Sequence, residues 1–507
     1  MTNNSVLSSK NYKFLLISLS IIGISIIYIS TIRYGAVISS DSSNYIAIAE
    51  NFAKGNGLFS FNGEPLLYFP PLYPILLSLS SIILGIDPLF ISNGFNAIIF
   101  GLIIYVGGVF FLRQFLSSNI FALLGIFAIF SSYILFKSSI MALSEPLFIL
   151  FVILSLFLFS KYISQNNLKL LVLLSISVSL ATLTKYVGVT LIIWGALGIL
   201  LFSSENLKRR ISHSFVFSTI SSIPICIWLM NNYIISETLT GPRSSSAFNL
   251  LPKLNDLFST ILNWYFHIRI VEHKGIFLII ILLLIIFITR SFVKSQYNLL
   301  NDIKEILPIL LFIFIYIAFL IISTAKYSIE VDDRLLSPIY IPLMAVLLFF
   351  VKLLIKPYHN QFSNRFINII IVISFMLWSV YPIRATVLHA KKLMQVGQGY
   401  NSKEWRENEL ICYLQQNNSL NTKTAIYSNE PYATYILTNL STRITPYKSK
   451  DLTDFIGLWR SENNATIIWY NKIDYDVLLS LDEIKSLFYI DPIISFKDGG
   501  IYSVSLK

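Results

Sequence analysis

Ser39-Ser40-Asp41-Ser42-Ser43-Asn44-Tyr45 follows closely on a long apolar run, Phe14 to Thr31, and the reading of this junction decides the fold. The run approaches the ~20 residues that carry a helix across a hydrocarbon core, and no small-residue cleavage site follows it. It therefore reads as a retained membrane helix, and the polar stretch opens a loop from Ile32 to about Pro74. Within that loop Tyr45, Ile48, Ala49 and Phe52 recur at the spacing of one helical face, which predicts an amphipathic helix over Ser43–Lys54 lying flat on the membrane. Gly55-Asn56-Gly57 ends it, and the loop closes on Tyr68-Phe69-Pro70-Pro71-Leu72-Tyr73-Pro74.

The rest of the chain agrees. Its residues are 55% hydrophobic and only 13% charged, against roughly 25% charged in soluble domains, so a polytopic membrane protein is expected. The excess of eleven positive charges is explained by Lys and Arg at cytoplasmic loop ends, and no basic run with interleaved aromatics points to nucleic acid. Cys226 lies inside an apolar span and Cys412 in the polar tail, so neither a disulfide nor a metal-ligand spacing is indicated.

Further spans are expected at about Phe90–Leu112, Asn119–Phe136, Pro146–Ser160, Leu168–Leu183, Val187–Phe202, Ser212–Ile235, Ile276–Thr289, Ile306–Ser323, Leu336–Val351 and Phe366–Ile383. Leu72–Ile86 is apolar but short. If it does not cross, Arg113, Lys161, Lys208-Arg209-Arg210, Arg290, Lys352 and Arg365 all share the side of the N-terminus, as the positive-inside rule requires of the cytoplasmic face. That gives about eleven transmembrane helices, with Leu72–Ile86 as a surface or re-entrant helix. The membrane domain then covers residues 1–384, with its first external loop at 32–74. Residues 385–507 turn polar, and short apolar runs such as Ala465–Tyr470 alternate with helical patterns such as Trp405–Gln415, which suggests a small extracytoplasmic α/β domain.

This topology puts the loops holding Asp41, Glu145, Lys185, Arg243 and Arg334 on one external face. Asp41 reads either as the N-cap of its helix or as a carboxylate base kept ionised by the helix terminus. Glu145, in Ser144-Glu145-Pro146, reads as a helix start or as a second site acid. Lys185 either snorkels to water or serves the site, Arg243 lies in a turn-rich loop, and Arg334 either pairs locally with Asp332-Asp333 or serves the site. Three external cations suit an anionic lipid phosphate, for which the planar arginine fork is well matched. No cofactor is demanded, and a divalent metal ion on Asp41 and Glu145 is an open alternative, since two carboxylates do not specify one.

Ser40-Asp41-Ser42-Ser43-Asn44-Tyr45, Pro70-Pro71-Leu72-Tyr73-Pro74, Ser144-Glu145-Pro146, Leu183-Thr184-Lys185-Tyr186-Val187-Gly188 and Asp333-Arg334-Leu335-Leu336-Ser337-Pro338 together resemble the C-type (GT-C) glycosyltransferase superfamily. The nearest branch is that of the protein O-mannosyltransferases and the lipid A aminoarabinose transferases (family 39-like). The resemblance implies transfer of a sugar from a polyprenyl-phosphate carrier to an acceptor hydroxyl of a lipid, glycan or protein on the non-cytoplasmic side, usually with inversion. By the same resemblance Asp41 takes the place of the first-loop catalytic acid. Phe69 stands where the aminoarabinose transferases tend to have lysine, which leaves Lys185, Arg243 or Arg334 to neutralise the phosphate. The alternatives from other classes are a multi-span transporter or lipid flippase, which needs a site at the midplane, and a non-catalytic membrane scaffold.

Overall fold

The structure is a computed structural model that describes residues 10–243, 250–266, 303–326, 331–355, 364–417, 425–448, 464–473 and 475–506. The expected span Ile276–Thr289 lies outside them. In chain order the helices are α1 (Lys10–Thr31), α2 (Ser40–Ala53), α3 (Leu72–Leu84), α4 (Pro88–Gln114), α5 (Asn119–Phe130), α6 (Tyr133–Ser139), α7 (Glu145–Gln165), α8 (Leu168–Thr184), α9 (Val189–Phe202) and α10 (Leu207–Ser236). They continue with α11 (Leu250–Tyr265), α12 (Leu307–Lys326), α13 (Asp333–Leu336), α14 (Tyr340–Ile355), α15 (Asn364–Val396), α16 (Lys403–Arg406), α17 (Glu409–Gln416), α18 (Pro431–Thr438) and α19 (Leu481–Leu487).

The chain forms two compact units. One gathers the residues up to Ile29 with Leu67–Tyr73 and Gly94–Lys391; the other gathers Ser30–Leu66, Pro74–Asn93 and the chain from Lys392 onward.

Seven helical stretches among the described residues are long and apolar enough to cross a membrane: α1, α4, α7, α10, α12, α13 with α14, and Arg365–Val396 within α15. The protein is an integral, multi-pass membrane protein. α8 and Tyr186–Phe202 are apolar but shorter. Asn119–Phe136, expected as one span, is broken: α5 and α6 meet at 41°. The break has a local cause, because the Ser132 hydroxyl accepts the Leu135 N–H and so starts a new helix. α3 has 13 residues, about 20 Å at the helical rise, which falls short of a ~30 Å hydrocarbon core. In the first unit α7 packs on α8, α8 and α9 on α10, and α9 on α12. Tight crossings use glycine: a methyl on Gly125 would run into the buried ring of Phe111.

In the second unit α2 differs from a helix lying on a membrane. Ile46 and Ala47 are as fully buried as Tyr45, Ile48 and Ala49, so two faces are covered where one was expected. The cover includes α18, which packs against it. The helix ends at Gly55, whose φ of +80° favours glycine.

The expected α/β pattern at the C-terminus is present. Strands β1 (Ala425–Ser428), β2 (Arg443–Ile444), β3 (Asn464–Tyr470), β4 (Phe488–Phe496) and β5 (Gly499–Leu506) form one sheet in the order β2-β1-β3-β5-β4. β1 runs parallel to β2 and β3, while β5 is antiparallel to β3 and β4, with a register shift between Pro492 and Ile494. One face holds Tyr427, Ile467, Ile484 and Val504; the other holds Leu410, Ile411, Ile468 and Ile501.

Candidate active site

The loop closure and two helix junctions of the first unit converge. Tyr73, fully buried, donates its hydroxyl to Asn96 Oδ1 at 3.2 Å, and Asn96 donates in turn to the Met141 carbonyl, four residues before Glu145. The Tyr186 hydroxyl donates to the Leu67 carbonyl at 2.7 Å and accepts from Trp228 Nε1 at 3.1 Å and Asn232 Nδ2 at 3.0 Å. The proline-rich closure is thereby tied beside both Glu145 and Lys185.

Glu145 is the first residue of α7, with Pro146 where a missing N–H costs nothing. Its side chain is only 2% exposed, and its Oε1 accepts from Lys185 Nζ at 2.7 Å and from Arg334 Nε at 3.0 Å. Its Oε2 is buried with no hydrogen-bond partner among the described residues. Lys185 reaches it because the backbone turns extended there (φ −146°, ψ 138°), between α8 and the 3-10 turn Tyr186–Gly188. A Cβ on Gly188 would stand 2.7 Å from the Thr182 Cα, so this turn closes only on glycine.

The three residues before and within α13 divide their work. Asp332 caps α13, its Oδ1 accepting the Leu335 N–H at 3.0 Å. Asp333 accepts from Lys137 Nζ at 2.6 Å and from Trp264 Nε1 at 2.9 Å. Arg334 turns to Glu145. Lys185 and Arg334 bring two positive charges to one buried carboxylate, so this group keeps a positive excess in a place of low dielectric, where it acts strongly on an incoming anion.

Arg243 is exposed, and its charge reaches the Tyr186 hydroxyl. Asp41 belongs to the second unit. It is half-buried in the first turn of α2, but the cap is Ser39, whose Oγ accepts the Ser42 N–H at 3.4 Å. Capping therefore does not account for Asp41, and its charge reaches Tyr432 of α18. Among the described residues no three or more His, Cys, Asp or Glu are grouped to hold a metal ion. A carboxylate already shared by an ammonium and a guanidinium, as Glu145 is, does not fit a divalent cation.

Lys137 and Trp264 were not singled out in the sequence, and Tyr186 entered only as a member of the Leu183–Gly188 motif. Lys137 sits at the end of an expected span, and its partner Asp333 is 196 positions away; no local pattern signals such a pair.

This architecture is the GT-C fold that the sequence motifs resemble. Residues 69–228 match the family described as dolichyl-phosphate-mannose-protein mannosyltransferase; that span includes the Pro70–Pro74, Glu145 and Lys185 motifs. ArnT from Cupriavidus metallidurans in the apo state is similar with a TM-score of 0.60 and 12% identity, over 98% of each chain. The same protein bound to undecaprenyl phosphate gives 0.58 at 12% identity, again over 98% of each chain. The archaeal oligosaccharyltransferase AglB from Archaeoglobus fulgidus, in complex with an inhibitory peptide and a dolichol-phosphate, gives 0.54 at 12% identity over 91% of this chain and 70% of its own. No curated protein matches by sequence.

Proposed function

We propose that the protein is a glycosyltransferase that moves a sugar from a polyprenyl-phosphate carrier to an acceptor hydroxyl on the extracytoplasmic face of the membrane, where the polar C-terminal residues also lie. The observation that carries the reading is the meeting of Lys185 and Arg334 at one buried carboxylate, in a fold shared with a protein solved with undecaprenyl phosphate. The matched mannosyltransferase family supports it. The fold gives the transporter and flippase alternative no comparable support.

In this mechanism Asp41 accepts the proton of the acceptor hydroxyl as its oxygen attacks the anomeric carbon from the side opposite the phosphate, inverting the configuration. The bond from the anomeric carbon to the phosphate oxygen breaks, and its electron pair leaves with the polyprenyl phosphate. That charge is met by Lys185 and Arg334, with Arg243 as a third donor. A phosphate already leaves well, so no acid need protonate it. Glu145 holds the two cations in place and does not itself touch the sugar.

The test is transfer by purified, reconstituted protein given a panel of radiolabelled polyprenyl-phosphate sugars, beside monodisperse Asp41→Asn and Asp41→Ala. Turnover that is lost with Asp41 supports the reading and identifies the donor. Labelled lipid that crosses the bilayer with no sugar consumed would replace it with the flippase.

A further inference from the structure

The second unit contains a buried carboxylate that this mechanism does not use. Glu430 is 1% exposed. Its Oε1 accepts the Tyr400 hydroxyl at 2.8 Å and its Oε2 the Tyr475 hydroxyl at 2.5 Å. Among the described residues two phenols and no cation satisfy it. Burying a carboxylate without a counter-ion is costly, yet only a carboxylate offers an acceptor oxygen to each phenol; glutamine would offer one.

What the two phenols hold differs. Tyr475 is 43% exposed. Tyr400 belongs to a segment laid along the start of the first loop. Gly399 forms a parallel bridge with Ile38, and the Tyr400 N–H donates to the Ile38 carbonyl at 3.0 Å. Next to it Asn401 Nδ2 donates to the Ala36 carbonyl at 2.9 Å, and Arg406 Nη2 to the Tyr34 carbonyl at 2.8 Å. The approach is so close that a Cβ on Gly399 would overlap the Ile38 carbonyl. Ile38 is followed at once by Ser39, the cap of α2, and Asp41 lies in the first turn.

Glu430 also begins α18, which returns to the far part of the same loop. The Tyr435 hydroxyl donates to Glu50 Oε2 at 2.7 Å, and the Tyr435 ring stacks on Phe61 with centroids 4.7 Å apart. α2 is thus held at its start through Tyr400 and near its end through Tyr435, and both supports run back to Glu430.

We infer that Glu430 is a positioning residue for Asp41, acting through Tyr400 and Ile38 to set where the first turn of α2 presents its carboxylate. The C-terminal residues then form part of the transfer machinery as well as an outward domain. This rests on the reading of Asp41 as the base.

The experiment compares Tyr400→Phe, Tyr475→Phe, Glu430→Gln and Asp41→Asn in the reconstituted full-length protein, with kcat, donor KM and thermal midpoint measured for each. Tyr400→Phe and Glu430→Gln are expected to lower kcat about ten- to a hundredfold, as misplacement of a reacting group does, with donor KM unchanged. Tyr475→Phe removes a hydrogen bond from the same carboxylate but is expected to cost less than about threefold. Gly399→Ala, which disturbs the Ile38 junction without touching Glu430, should reproduce the Tyr400→Phe loss. Equal losses in both tyrosine variants, or full kcat in Tyr400→Phe and Glu430→Gln, would overturn the inference. Full turnover by Asp41→Asn would instead remove the base assignment on which it rests.

Discussion

Arg334 Nε lies 3.0 Å from Glu145 Oε1, although 189 positions separate the two residues. With Lys185 on the same oxygen, Glu145 is the point at which the junction before α9, the start of α7 and the short α13 are brought into register. Its removal would leave two partly exposed cations facing each other without the carboxylate between them.

Glu145→Ala is therefore expected to destabilise the protein, by less than the cost of about 3–5 kcal/mol for deleting one partner of a fully buried ion pair, because Lys185 and Arg334 keep some contact with water. Thermal unfolding of the purified protein reads this directly. A midpoint equal to that of the parent protein would mean that Lys185 and Arg334 find other partners at no cost.

Lys185→Ala and Arg334→Gln should each weaken binding of a polyprenyl phosphate by about ten- to a hundredfold, the loss of one charge-assisted hydrogen bond of roughly 1.5–3 kcal/mol. Arg334→Lys should recover little of this, because a point charge cannot serve Glu145 and a phosphate through one planar fork. Direct binding of labelled polyprenyl phosphate separates these effects from loss of turnover.

Asp41→Asn should lower kcat by about 10²–10⁴-fold, as removal of a general base does, while leaving binding of the lipid phosphate intact. Parallel loss of both would make Asp41 a structural residue.

Gly188→Ala should reduce the thermal midpoint and donor affinity together. The added methyl meets backbone atoms of Ala181 and Thr182, which cannot rotate aside, so the turn that aims Lys185 has to open. Retained affinity would show that Lys185 does not contribute to it.

Burial raises the Glu430 carboxyl above its ordinary value of 4.5, despite its two phenol donors. The folded protein then binds this proton more readily than the unfolded chain, so the contribution is fully present below about pH 4.5 and is lost as pH rises through the folded value. Glu430→Gln, which stays neutral, should flatten that part of the stability-against-pH curve. A curve of unchanged slope would remove Glu430 as its source.

Much of the membrane architecture was legible because a span is written in one continuous run of residues: Phe14–Thr31 and Phe90–Leu112 both fall within long helices. The break at Ser131-Ser132 was not, since the serines sit inside an otherwise apolar stretch and only the Ser132 hydrogen bond separates two helices from one. Helical spacing picked out one face of α2, but Ile46 and Ala47 already showed apolar residues on the other, a signal of burial on two sides. The cluster at Glu145 was legible only as a set of candidates sharing a membrane face. Which cation meets which acid depends on contacts between residues far apart in the chain, and for that reason Lys137 and Glu430 drew no notice.

The two outer strands of the C-terminal sheet bear on how copies of this protein coexist. One, β2, is two residues long, too short to template another chain. The other, β4, is the last strand of the sheet among the described residues and exposes Tyr489 and Ile493, a rim that could invite a neighbour's strand. Pro492 withholds a donor from that edge, and the register shift beside it twists the ladder away from a flat zipper. The same irregularity leaves the sheet's outer rim a poor seed for cross-strand aggregation among molecules concentrated in the plane of a bilayer.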